Sequence, residues 1–121
     1  MASTVRELAQ VARALSDETR IRMLKLLLEN DIGLCEMVEV LPMSHSQVSR
    51  NLKALMRAGF LRRWREGKCV VYVADRGSSS SHCRALLDVL AASFNDSETV
   101  LRDRQRLQQV IAEQVRKKHG Q

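Results

Sequence analysis

The hydrophobic pattern of the chain changes its period at Gly59, and this change restricts the fold more than any other feature. Before Gly59, apolar residues recur every three or four positions in four segments, which is the period of amphipathic helices. After it, two short strand-like runs over 60–65 and 68–74 are separated by Glu66-Gly67, which is typical of a tight hairpin. Helical spacing then returns. We predict a mainly helical fold with one small β-hairpin, in the order ααααββαα.

Capping residues and breakers set the boundaries of these elements. Pro42 ends a short helix, and the Ser44-x-x-Gln47 pattern is a capping box that starts the next one. Gly33 is expected to be a helix stop or a turn residue after the second helix, and the glycine and four serines of 77–81 are expected to form a flexible linker. The predicted helices span 5–15, 18–29, 34–41, 44–58, 82–94 and 98–118.

A short helix, a turn at Pro42, a longer helix and a hairpin, in that order, are the parts of a winged helix-turn-helix. The length of 121 residues indicates one domain, which we place over 1–121. Within it, 44–58 is the predicted recognition helix and 60–75 the predicted β-wing.

The excess positive charge lies in this same region. The chain has a formal net charge of +6. Residues 44–76 contain eight Lys or Arg and two Asp or Glu, so the remainder of the chain is balanced. A basic segment of this kind is typical of proteins that bind a polyanion, here double-stranded DNA. The alternative is a basic surface that is exposed to solvent and has no partner.

Polar side chains on the predicted recognition helix suit a DNA groove. Val48, Leu52 and Leu55 can face the core, which leaves the polar positions outward. Gln can pair with adenine, Arg with guanine, and Ser with base edges or phosphates. The predicted contacts on this helix are Ser44, Ser46, Gln47, Ser49, Arg50 and Lys53. The predicted wing contacts, to phosphates or the minor groove, are Arg62, Arg63, Arg65 and Lys68.

From about Leu8 to Ala74 the chain resembles the ArsR/SmtB family of metal-sensing repressors. The stretches that carry the resemblance are Ala14-Leu15-Ser16-Asp17-Glu18-Thr19-Arg20-Ile21-Arg22, Ser46-Gln47-Val48-Ser49-Arg50-Asn51-Leu52-Lys53, Ala58-Gly59-Phe60-Leu61, Glu66-Gly67-Lys68 and Val71-Tyr72-Val73. The resemblance implies a homodimer with the first and last helices, 1–15 and 98–118, at the interface. It also implies binding to an inverted repeat in a promoter and release by an inducer.

The three cysteines are the predicted inducer ligands. Arsenic-sensing members of the family carry Leu-Cys-x-Cys-Asp-Leu-Cys on the short helix, and Cys35 matches its second cysteine, with Gly33 and Val38 in place of the other two. Soft metalloids need two or three thiolates, so Cys69 and Cys83 are the further candidates. The resemblance implies As(III), Sb(III) or a similar thiophilic metal as inducer, and we expect no organic cofactor.

Each cysteine also has a structural interpretation. Cys35 can pack in the core, and Cys69 alternates with Val71 and Val73, which favours packing. Cys83 follows the serine-rich segment, which indicates exposure. An alternative function for the same DNA-binding scaffold is to sense reactive sulfur or redox state through these thiols.

Other classes of function are disfavoured by the sequence. No Cys-His-acid constellation or glycine-rich phosphate loop is present, so an enzyme is not expected. A dimerisation module without DNA binding does not account for the basic segment. No apolar run reaches the roughly 18–20 residues of a membrane span, and we expect a cytoplasmic protein.

Overall fold

The structure, a computed structural model, describes residues 4–119, and their side chains as far as 117. The ends of the predicted 1–121 domain, 1–3 and 120–121, lie outside the described residues. The elements are α1 (Val5–Ala14), α2 (Glu18–Leu27), β1 (Ile32–Gly33), α3 (Leu34–Val40), α4 (His45–Ala58), β2 (Leu61–Glu66), β3 (Cys69–Ala74), α5 (Ser81–Ala91) and α6 (Glu98–His119). The prediction of a mainly helical fold with a small antiparallel hairpin is confirmed.

Local side-chain caps explain why the helices begin where they do. The Asp17 carboxylate accepts a hydrogen bond from the Arg20 backbone N–H at the start of α2. The Ser44 hydroxyl accepts from the Gln47 N–H at the start of α4. Gly59 ends α4 with φ of 103°, a left-handed conformation that side chains rarely adopt. The chain can therefore turn directly from α4 into the hairpin.

A two-residue strand, β1, was missed by the sequence analysis. The sheet has the order β1-β3-β2, with all pairs antiparallel, and Gly33 lies opposite Val71. Of the two roles expected for Gly33, it does not stop the second helix, because α2 already ends at Leu27. Gly33 lies in β1 with an extended backbone and is the N-cap of α3. Two residues are too few to show an alternating pattern, so tertiary pairing and not local sequence makes this strand.

Leucine side chains dominate one continuous core. The helices α2, α3 and α4 converge on it, and Phe60 and Tyr72 close it from the hairpin. The largest fully buried side chains are those of Phe60, Met23, Leu24, Leu26, Leu27, Ile32, Met37, Leu41, Leu52, Leu55, Leu87 and Leu107. Burial of this apolar surface fixes how α3 and α4 are held against each other.

The serine-rich segment is structured, contrary to the expectation of a flexible linker over 77–81. Ser78 is buried, and its hydroxyl accepts a hydrogen bond from the Ser80 N–H. The Ser78 carbonyl accepts from the Arg84 guanidinium. Ser80 caps α5 by accepting from the Cys83 N–H. Composition indicated flexibility, but these side-chain hydrogen bonds order the turn.

The helices predicted to form a dimer interface differ in how much apolar surface they leave free. On α1, Val5 and Leu8 are 89% and 45% exposed. On α6, Val100, Leu107 and Val110 are buried in the protomer, and among the described large apolar side chains of this helix only Leu101 and Val115 are exposed. The buried apolar residues of α6 therefore pack in the core of the protomer and are not available to a dimer interface. No helix in the described part of the chain is long and apolar enough to cross a bilayer.

Candidate nucleic-acid interface

The outward face of α4 carries the polar residues predicted to enter a groove. Val48, Leu52 and Leu55 are fully buried, so the opposite side of the helix points away from the core. The exposed positions on that side include Ser46, Gln47, Arg50 and Lys53, with Ser49 half-buried. Because the core residues recur at helical spacing, the helix cannot rotate without exposing them.

Gln47 has a structural role that limits how it can read a base. Its Oε1 atom accepts hydrogen bonds from the Ser44 N–H at 3.0 Å and from the Ser44 hydroxyl at 3.1 Å. Pairing with both polar atoms of adenine needs that same oxygen as an acceptor. With the capping box intact, Gln47 therefore offers DNA its amide N–H groups only.

Arg20 anchors α4, a role that its position in the sequence does not predict. Its guanidinium donates to the carbonyl of Ala14 at 2.6 Å, to the carbonyl of Arg13 and to Asn51 Oδ1 at 3.2 Å. The first two bonds satisfy the C-terminal end of α1, and the third holds the middle of α4. The positions of Arg20 and Asn51 are 31 residues apart in sequence, so spacing alone gives no sign of this contact.

The hairpin presents its arginines to solvent. Arg62, Arg63 and Arg65 are exposed on β2, and Lys68 is exposed in the turn that Gly67 makes with φ of 60°. Arg62 lies 3.5 Å from the Asp75 carboxylate. The Trp64 indole N–H donates to Glu66 at 3.0 Å, which orders the side chains at the end of the strand.

We use the name basic face for five exposed basic side chains of α4 and the hairpin: Arg50, Lys53, Arg63, Arg65 and Lys68. All five are exposed, and within the described residues none has a hydrogen bond or ion pair to another side chain. A guanidinium or ammonium group without an internal partner keeps all its donors for an external anion. The electrostatics of the basic face therefore suit a polyanion.

Cys35 and Cys69 come together near the turn of the hairpin. Their Sγ atoms are 3.4 Å apart, with Cys35 exposed and Cys69 half-buried. The hydrogen bond to Cys69 and then partial burial raise the pKa of the Cys35 thiol, so Cys35 holds its proton at neutral pH. The neighbouring Glu36 carboxylate accepts from the Gly33 N–H at 2.8 Å.

Cys83 is not exposed as its sequence position indicated. Its side chain is fully buried, and its thiol donates to the Ala58 carbonyl at 3.1 Å. Burial raises the pKa of the Cys83 thiol. The structure thus unites two of the three predicted ligands and gives the third a different partner. Within residues 4–117, no three side chains of His, Cys, Asp or Glu are grouped to hold a metal ion.

A helix-turn-helix followed by a basic hairpin defines this chain as a winged helix-turn-helix protein. A solved structure with this fold is the homodimeric winged helix-turn-helix DNA-binding domain Mb0332 from Mycobacterium bovis, described as a possible ArsR-family transcriptional regulator. The two match with a TM-score of 0.62 and 21% identity over 81% of this chain and 94% of that one. At that identity the match concerns the fold alone.

Sequence comparison relates the chain to particular regulators with this helix-turn-helix. The model of the family described as "Bacterial regulatory protein, arsR family" matches residues 17–63. The chain is 33% identical over 70 residues to the Cadmium resistance transcriptional regulatory protein CadC homolog of Staphylococcus aureus, and 38% identical over 63 residues to the Arsenic resistance transcriptional regulator ArsR1 of Pseudomonas putida. These matches cover 57% and 51% of this chain, and 58% and 49% of the relatives' own lengths. The chain is thus similar to ArsR-family regulators over its helix-turn-helix segment, and it spans about half the length of the curated relatives that it matches.

Proposed function

We propose that this protein is a DNA-binding transcriptional repressor that binds an inverted repeat in a promoter through α4 and the hairpin. The observation that carries the proposal is the basic face, whose five charges have no partner among the described residues. Unpaired exposed Arg and Lys next to a helix-turn-helix are the electrostatic footprint of DNA binding.

The two parts of the basic face have different proposed tasks. Arg50 lies on the outward side of α4, where a guanidinium can make two hydrogen bonds to guanine in the major groove. Arg63 and Arg65 lie on β2, where they would contact phosphates and fix the register of the protein on the duplex. Sequence preference therefore belongs mainly to α4, and sequence-independent affinity to the wing.

A homodimer fits an inverted repeat because both have two-fold symmetry. Val5 and Leu8 give α1 an apolar surface that the protomer leaves uncovered, and Leu101 adds exposed apolar surface on α6. A second copy of the chain would bury these groups. The Mb0332 domain, which shares this fold, is described as homodimeric.

The proposed inducer is As(III) or Sb(III), bound by Cys35 and Cys69. With sulfur–metal bonds of about 2.3 Å, sulfur atoms 3.4 Å apart enclose an angle of about 95° at the bound atom. A pyramidal trivalent metalloid has bonds at such angles, whereas a linear two-coordinate ion would need sulfurs about 4.6 Å apart at the same bond length. The third bond falls to a ligand from solution. The arsenic- and cadmium-resistance regulators among the relatives support a thiophilic inducer.

The DNA-binding proposal is tested by fluorescence anisotropy with reduced protein and duplex DNA from the region upstream of its own gene. We expect tighter binding to that duplex than to a shuffled one. The double variant Arg63→Glu/Arg65→Glu should lose binding to both. Its matched control, Arg102→Glu/Arg106→Glu, changes two exposed arginines on α6. Because α6 is a predicted dimer helix, size-exclusion chromatography first establishes that both variants are dimers, and the dimeric control should bind normally. Equal loss in both variants would contradict a specific role for the wing.

The inducer proposal is tested by adding arsenite to the preformed complex. We expect release by the wild type, and no release by Cys35→Ser or by Cys69→Ser, because one thiolate cannot chelate a metalloid. Release that persists in both variants would contradict the assignment of this site.

A further inference from the structure

The thiols of Cys35 and Cys69 meet where the start of β3 lies beside the start of α3. Gly33 in β1 pairs with Val71 in β3, so the chain that leaves β1 for α3 runs alongside the first residues of β3. Cys35 is the second residue of α3, and Cys69 is the first residue of β3. Their 3.4 Å separation is therefore a product of the sheet register that joins the two segments.

The surroundings of the three cysteines differ in a way that singles out this pair. Cys35 is exposed and reachable by a solute, whereas Cys83 is buried and donates to a carbonyl oxygen. We propose that Cys35 and Cys69 are a thiol–disulfide switch, in which a peroxide closes a bond between α3 and β3 of the same chain.

The reaction needs only the two thiols of the chain and one peroxide. The Cys35 thiol, which is protonated at neutral pH, first loses its proton to solvent, and the small fraction of thiolate attacks one peroxide oxygen. The O–O bond breaks, Cys35 becomes a sulfenic acid, and the hydroxide that leaves takes up a proton from solvent as water. The Cys69 sulfur then attacks the Cys35 sulfur, the S–O bond breaks, and a second water leaves with the remaining proton. Two thiols and one peroxide thus give one disulfide and two waters.

Closure moves the tip of the hairpin. A disulfide has an S–S length of about 2.05 Å, so the two sulfurs must approach from 3.4 Å. Cys69 pairs with Glu66 across the end of the hairpin and directly follows Lys68, so drawing Cys69 toward α3 displaces the charged turn. The bond itself does not depend on the proposed function. The effect of the bond on DNA binding rests on the proposed function. We expect weaker binding because the wing is moved away from the position in which it would contact DNA.

Thiol counting and peptide mapping test the bond directly. The full-length reduced protein is treated with hydrogen peroxide, and its free thiols are counted by alkylation and intact mass. We expect the three free thiols to fall to one, and a digest without reductant to contain one peptide joining Cys35 to Cys69. Cys35→Ser and Cys69→Ser should form no such link, whereas Cys83→Ser should form it fully. Reductant should restore all thiols in the wild type.

Three results would overturn the proposal: sulfinic or sulfonic acid at Cys35 without a crosslink, a link between two chains, or a link that includes Cys83. The wild-type map decides this even if Cys83→Ser fails to fold. The same samples are then titrated with operator DNA. We expect roughly tenfold weaker binding after oxidation, because displacing the hairpin turn removes more than one wing contact. Unchanged affinity in the crosslinked protein would refute the switch, whereas reduced protein that binds no DNA would refute the proposed function alone.

Discussion

Arginine and lysine cluster in two regions of this molecule, and the regions use their charge in opposite ways. The first, which we call the α2–α6 junction, comprises Arg22, Lys25, Glu29, Asp103 and Arg104. Arg22 makes two bonds of 2.8 Å to the Asp103 carboxylate, and Arg104 pairs with Glu29. The second region is the basic face, whose five side chains have no partner among the described residues.

Burial accounts for the pairing at the junction. Lys25 is 3% exposed, and its ammonium donates to the Leu90 carbonyl at 2.8 Å and to Asn95 Oδ1 at 2.9 Å. Burial, followed by repulsion from Arg104, lowers the pKa of Lys25, so the hydrogen bonds are needed to keep a charge there. The hydrogen bond to Asp103, by contrast, raises the pKa of Arg22. Charge at the junction maintains the fold, and charge on the basic face is left for a partner.

The largest effect should follow from breaking the junction. Asp103→Ala leaves the Arg22 guanidinium, with 34% of its side chain exposed, without its carboxylate. We expect the free energy of unfolding to fall by roughly 2–3 kcal/mol, somewhat less than for a fully buried pair. Urea denaturation at fixed protein concentration measures it. The control is Glu98→Ala on the same helix, where both partners of the Arg102 pair are exposed and the loss should stay below about 0.5 kcal/mol. Equal losses would contradict the distinction.

Next in size is the loss of operator affinity in Arg50→Ala. We expect about 1–3 kcal/mol on the native sequence and a weaker preference over shuffled DNA, because a contact to a base edge is removed. Stability should change by less than about 0.5 kcal/mol, since Arg50 is exposed. Arg106→Ala on α6 is the charge-matched control. Unchanged affinity would show that Arg50 does not contact DNA. A large drop in stability would show that Arg50 supports the fold, as the α2–α6 junction does.

A smaller effect is expected on how the free energy of unfolding depends on pH. It would show that Cys83, like the α2–α6 junction, contributes to the stability of the fold. Its folded pKa is above the ordinary 9.0, so above that pH the unfolded chain loses this proton while the folded chain keeps it. Stability should therefore decline as pH rises through 9, by up to about 1.4 kcal/mol per pH unit. Cys83→Ser cannot ionise there and should show a shallower decline in unfolding experiments between about pH 7.5 and 10. Parallel curves would contradict this origin.

The smallest effect belongs to a single wing residue. Arg63→Ala should weaken binding to native and shuffled DNA by the same factor, below about 1 kcal/mol, because a phosphate contact carries no sequence information. Anisotropy titrations on both duplexes measure the two factors. A loss confined to the native sequence would show that the wing reads bases, and the division between α4 and the wing would then be wrong.

Much of this architecture could be predicted from the sequence because its signals are local. The capping box at Ser44 and the left-handed Gly59 set the limits of α4, and the burial of Val48 and Leu52 follows their helical spacing. The outward positions of α4 followed from the same pattern.

What the sequence did not contain are contacts between distant segments. The pairing of β1 with β3, and with it the meeting of Cys35 and Cys69, depends on the tertiary path of the chain. Cys83 appeared exposed because serines precede it, yet α5 turns it toward Ala58. The Arg20–Asn51 bond likewise has no periodic sign. Loops composed of serine can be ordered by their own hydroxyls, which composition does not reveal.

The salt dependence of DNA binding shows directly whether the basic face is unpaired because it binds phosphates. Affinity for operator DNA would be measured by anisotropy from about 50 to about 200 mM salt, for the wild type and for Arg63→Ala/Arg65→Ala. We predict a linear fall of log K with log salt, with a slope steeper than about −4 that becomes shallower by about 0.9 for each phosphate contact removed. A slope near zero, or one that the double substitution leaves unchanged, would contradict the account.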